Sequence, residues 1–176
     1  MRRFSILLSV VVLVALSALG LVTARTTAQE STPVAAPAGA VGVTIEARGS
    51  GTPDAAPEHQ LGLRRVVFAP GGVIHNHHHP GALVLTVESG ALGYTVQEGD
   101  VTVVRAATNG TPGPNEQLTP GVEAILNPGD ALFEQSVVHS ARNASDGETV
   151  VWVASVIEAG QPFTVFHEAI EATPAA

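Results

Sequence analysis

Gly71-Gly72-Val73-Ile74-His75-Asn76-His77-His78-His79-Pro80-Gly81-Ala82-Leu83 decides how this chain reads. Four of its seven histidines fall within the five residues His75 to His79. In an extended strand alternate side chains share a face, so His75, His77 and His79 are expected on one side and His78 on the other. Two imidazoles at i and i+2 can converge on one metal ion from one strand, and a further ligand must then come from a distant part of the chain. His139, in another short apolar run, is the natural supplier.

Outward from this stretch the sequence is a series of short β-branched runs separated by turn residues. Strands are expected at about 41–48, 60–69, 82–88, 91–97, 101–106, 121–126, 131–133, 137–142, 149–157 and 162–166. The breaks between them include Ala69-Pro70-Gly71-Gly72, Glu98-Gly99-Asp100 and Asn127-Pro128-Gly129-Asp130. No window of helical length has a 3.6-residue apolar period. The fold class is therefore all-β, an antiparallel sandwich or barrel. The longest irregular piece, 107–120, reads equally as a lid and as a solvated excursion.

The histidine stretch resembles the two motifs of the cupin superfamily. Gly71, five residues, His77-His78-His79, three residues, position 83, six residues and Gly90 reproduce the first motif's spacing. The turn Pro128-Gly129-Asp130, followed by His139 with Asn143 four positions later, matches part of the second. The resemblance covers roughly 41–166 and implies a jelly-roll-like antiparallel β-barrel in a single domain. Two departures stand out: the motif's Glu is Leu83, and the Pro-x-Gly before the second-motif histidine is replaced by Glu134-Gln135-Ser136. By analogy the ligand set is His77, His79 and His139, with His75 as a candidate extra ligand. Such a set suits one divalent transition metal, among Fe, Zn, Mn, Ni and Cu. Some oxygenases of the superfamily use a three-histidine iron centre, so the resemblance implies either an iron-dependent dioxygenase or a module that binds a small chelating molecule. A metal-free ligand-binding or interaction cupin is the alternative. Cupins commonly dimerise, so a homodimer is expected.

Other candidates are weaker. Glu88, Glu123 and Glu134 are the acid or base candidates. Glu88 has the wrong parity to face the core, and the direction of Glu134 cannot be read across the expected turn. Tyr94 and Trp152 read as packing residues, and His59 and His167 as surface residues. Ser136 and Ser140 flank His139 without the partners of a hydrolase.

Composition bounds the remaining possibilities. The 176 residues suit one domain, with 45% hydrophobic residues to fill its core. All eight basic residues are Arg, against 16 acidic ones, for a formal charge of −8. That balance excludes nucleic acid, which needs a concentrated basic surface. There is no Cys, so metal ligands are restricted to His and carboxylate. Arg2 and Arg3 precede an uncharged apolar stretch, so residues 1–24 are expected to be a signal peptide or an uncleaved membrane anchor through 4–24. The expected layout continues with a flexible linker at 25–40, the cupin domain at 41–167 and a disordered tail at 168–176. The domain is expected to lie outside the cytoplasm.

Overall fold

The computed structural model describes Pro33, Val34 and residues 39–167, and these residues contain strands and turns but no helix. The expected signal or anchor at 1–24 and the tail at 168–176 lie outside the described residues. Twelve strands follow in chain order: β1 (Pro33–Val34), β2 (Ala40–Gly51), β3 (His59–His78), β4 (Gly81–Ser89), β5 (Leu92–Glu98), β6 (Thr102–Val104), β7 (Asn115–Gln117), β8 (Glu123–Leu126), β9 (Ala131–Gln135), β10 (Val138–Asn143), β11 (Thr149–Glu158) and β12 (Val165–Phe166). Within the stretch expected to be a linker, Pro33 and Val34 pair with β2 opposite Glu46 and Ile45.

All the pairings are antiparallel, and their order is β7-β6-β9-β4-β11-β3-β10-β5-β8, with β2 and β12 also on β3. The long strand β3 is what curls this sheet. Its first half pairs with β11 and its second half with β10 and β12, while β2 runs along both. The break expected at Ala69-Pro70-Gly71-Gly72 is instead a corner within one strand. Residues 69–72 are skipped in the β2–β3 register, which passes from Val43 opposite Phe68 to Val41 opposite Val73. Gly71 takes φ 75° there, a left-handed conformation that favours glycine. A strand that changes sheets at such an irregularity lets the two halves close over one core.

Apolar side chains at alternate positions fill that core. Leu83, Leu85 and Val87 point inward from β4, Leu92, Tyr94 and Val96 from β5, and Val151 and Val153 from β11. Glu88 is exposed, as its parity requires. Asn143 ties the corner to the turn after β10. Its Nδ2 donates to the carbonyls of Phe68, Ala69 and Gly147, while its Oδ1 accepts from Ser145 and Thr149. Asp130 does similar work in the other motif turn, accepting from the backbone of Ala106 and Asn127 and from Arg105. The stretch 107–120 contains β7 and the buried core residue Leu118, and it contributes no residue to the cavity described below.

Candidate metal centre

His77 and His139 are brought together by strand pairing. They stand directly opposite each other in the β3–β10 register, on the inner face, with ring centroids 4.1 Å apart. His79 lies just past the end of β3, in the corner closed by the bond from Gly81 N to His79 O. Its ring is 4.9 Å from that of His77 and 5.5 Å from that of His139. One ligating nitrogen from each of the three lies within 4.8 Å of the other two. His77 and His139 are 2% and 4% exposed, and the side chain of His79 is 8% exposed.

His75 is not part of this group. The parity expected from a regular strand fails because the β3–β10 register shifts: Ala141 faces Ile74 while His139 faces His77. Ile74 and His77 both point inward although they are three residues apart, so a bulge takes up the two residues between them. His75 is thereby turned to the exterior, beside Asn76, Ser140 and His167. His78 faces away as expected, and its Nδ1 is 2.8 Å from Nε2 of His167.

Backbone carbonyls set the orientation of two imidazoles. His77 Nδ1 donates to His75 O at 2.8 Å, and His79 Nδ1 donates to Phe163 O at 2.5 Å. A histidine that donates through Nδ1 keeps the Nε2 lone pair for a metal. His139 Nδ1 is buried and has no hydrogen-bond partner among the described residues. A buried polar atom left in this way is costly, and a cation answers it. The donor set therefore fits a divalent transition ion.

The residue that sequence reasoning left undirected completes the picture. Glu134, on β9, is 3% exposed, with Oε1 3.5 Å from His79 Nε2 and Oε2 3.5 Å from His139 Nδ1. The Tyr94 hydroxyl donates to Oε2. Tyr94, read from sequence as packing alone, is fully buried and stacks on His139 with centroids 4.7 Å apart. Burial raises the Glu134 carboxyl to about 7, opposed by the Tyr94 hydrogen bond. Burial lowers His77 to about 4 and His79 to about 3, and pushes His139 well below its ordinary value. Burial, and then the charge of Glu134, raises the Tyr94 hydroxyl. Around neutrality the three imidazoles are thus uncharged, and their approaches to Glu134 are polar contacts rather than ion pairs.

The group lines a cavity of about 40 Å³ whose other walls are apolar, including Phe68, Leu83, Leu85 and Val153. Segment 161–167 covers it. The Phe163 ring lies 4.6 Å from that of His79, and the Phe166 ring lies 5.8 Å from that of His77. The Arg64 guanidinium sits 4.0 Å from the Phe163 ring centroid and donates to Ser155 Oγ. Arg48, Arg65, Arg105 and Arg142 each lie near a carboxylate, whereas Arg64 has no such partner among the described residues.

A curled antiparallel barrel that carries the first-motif histidines at the end of β3 and in the turn after it, and His139 on β10, is a cupin fold. No family model matches the chain, and no curated protein matches it. Among solved structures it is similar to KdgF from Halomonas sp., with 16% identity, a TM-score of 0.45, and coverage of 72% of this chain and 88% of that one. It is similar to a cupin-2 domain from Rhodospirillum rubrum, with 15% identity, a TM-score of 0.45, and coverage of 79% and 76%. For an oxalate decarboxylase mutant from Bacillus subtilis the identity is 16% and the TM-score 0.47, with 79% of this chain covering 30% of that one.

Proposed function

We propose that this chain is an exported metal-binding cupin that holds one divalent transition ion on His77, His79 and His139 and presents it to a small chelating molecule. The observation that carries this reading is the convergence of three neutral, buried imidazoles, two with Nδ1 committed to backbone carbonyls, on a space within 4.8 Å. When bound, such an ion supplies Lewis acidity and, if it is iron or copper, redox chemistry. The chain's own residues orient the imidazoles and keep water out through the apolar walls. A cavity of about 40 Å³ admits little more than a water or two, so an organic ligand enters only when segment 161–167 moves aside. Arg64 then becomes the cation that an acidic chelator meets at the mouth. The test is metal uptake: the full-length chain, stripped and reconstituted, is expected to take one Zn(II), Fe(II) or Mn(II) per chain. Oxygen consumption with diketones, phenols or thiols then separates an oxygenase from a binding module. Export rests on Arg2, Arg3 and the apolar stretch that follows, and cell fractionation checks it.

A second reading, an interaction module that pairs with its own copy, is favoured by one feature of the surface. Phe133, Val84, Ala154 and Leu63 stand side by side across β9, β4, β11 and β3, and all four are exposed. Apolar rows of this kind mark contact surfaces. A Phe133→Glu variant is expected to sediment as a monomer where the natural chain sediments as a dimer, and a monomeric natural chain overturns this reading.

A further inference from the structure

The sequence lacks a carboxylate at the motif position occupied by Leu83, but the barrel supplies one from the neighbouring strand. Leu83 on β4 is paired directly with Glu134 on β9. Residues directly opposite in an antiparallel pair share a face, with Cβ atoms about 5 Å apart. Leu83 is 3% exposed and lines the cavity, so Glu134 enters the same space one strand further round. We infer that Glu134 is the fourth protein ligand of the metal, its carboxylate transposed across the β4–β9 pair. This inference rests on the three-histidine reading above.

Three observations support it. Glu134 Oε1, the oxygen assigned to the metal, is 3.5 Å from His79 Nε2. Two donors on one tetrahedral ion with bonds of about 2.1 Å stand about 3.4 Å apart. The carboxylate is divided in role: the Tyr94 hydroxyl donates to Oε2, while Oε1 receives no hydrogen bond among the described residues and faces His79. A ligating carboxylate held by an outer hydrogen bond on its second oxygen is a common arrangement at metal centres. Finally, no Arg lies within ion-pair distance of Glu134 among the described residues and the imidazoles around it are neutral, so an ionised Glu134 has no compensating protein cation beside it. A divalent ion would supply that compensation.

The consequence for ligand choice is concrete. With three neutral imidazoles and one carboxylate, a divalent ion keeps a net charge of one. A site of that charge favours monoanionic chelators over dianionic ones.

Zn(II) and Co(II) affinities of the full-length chain, measured by competition with a chromophoric chelator, test the assignment. Glu134→Gln keeps the side-chain size and an acceptor for Tyr94 but offers a poor ligand. It is expected to weaken binding by at least about 100-fold, beyond the effect of losing an outer partner, and to change the Co(II) visible spectrum. The exchange variant Leu83→Glu/Glu134→Leu returns a carboxylate to the motif position and is expected to recover most of the lost affinity. A Glu134→Gln chain that binds as tightly as the natural one, with an unchanged spectrum, overturns the inference while leaving the three-histidine reading intact. A natural chain that binds neither ion overturns that reading itself. Should Glu134→Gln not fold, a crystal structure of the Zn(II)-loaded natural chain decides: Oε1 belongs about 2.0 to 2.2 Å from the ion, and a carboxylate remaining beyond about 3 Å refutes the assignment.

Discussion

Acidifying the metal-free protein from pH 7 to pH 5 sets the buried groups of the centre against one another, and the structure says which side wins. His77 and His79 titrate near 4 and 3 when folded, against 6.5 when unfolded, because burial disfavours their charged forms. The unfolded chain therefore binds more protons, and the stability these residues contribute is complete above pH 6.5 and lost as the pH falls below it. Each costs about 2 kcal/mol over this interval. Glu134 acts in the opposite direction. Its folded value of about 7 exceeds the ordinary 4.5, so the folded state takes up the proton first. That uptake stabilises the fold by about 2 kcal/mol as the pH falls from 7 to 5. The histidines prevail, leaving a net loss of about 2 kcal/mol, to which His139 adds in the same direction because burial lowers it too. Glu134→Gln removes the opposing contribution, so its loss is expected to reach at least about 4 kcal/mol. Urea unfolding in the presence of a strong chelator, at both pH values, measures the two differences. A natural chain that is as stable at pH 5 as at pH 7, or a Gln variant that loses no more than the natural chain, refutes the reasoning.

Other expectations follow from single contacts. Asn143→Ala removes a donor from the carbonyls of Phe68, Ala69 and Gly147, the last of which keeps Ser145 Oγ, and is expected to cost about 3 kcal/mol, read as a lower thermal midpoint. Tyr94→Phe removes the donor on Glu134 Oε2 and is expected to weaken metal binding by about 10 to 100-fold, measured by competition, with little change in fold. Phe163→Ala uncovers His79 and is expected to speed transfer of bound Zn(II) to a chelator, while costing no more than about 2 kcal/mol of stability because Phe163 is only half-buried.

How much of this was legible beforehand depends on how local each signal is. The barrel class and the trio His77, His79 and His139 follow from period-2 runs and motif spacing, and the structure does bring those three side chains together. The orientation of His75 is not encoded in parity, because the bulge between Ile74 and His77 is defined only by pairing with β10. Glu134 was hidden for a related reason. Leu132 and Phe133 are both apolar, so alternation cannot say which faces the core, and the apolar run ends before residue 134. The structure buries Leu132 and exposes Phe133, and this turns Glu134 inward. The pairing of Leu83 with Glu134, and the cover formed by Phe163 and Phe166, join positions far apart in sequence and leave no local mark.

The central claim is that the histidines hold a metal, and elemental analysis of the untagged full-length chain tests it most directly. His77→Ala and His139→Ala variants are run beside it. One metal per natural chain, lost in both variants while the β-sheet circular dichroism persists, is the expected result. A natural chain that holds no metal after reconstitution with Zn, Fe, Mn, Ni or Cu contradicts the account.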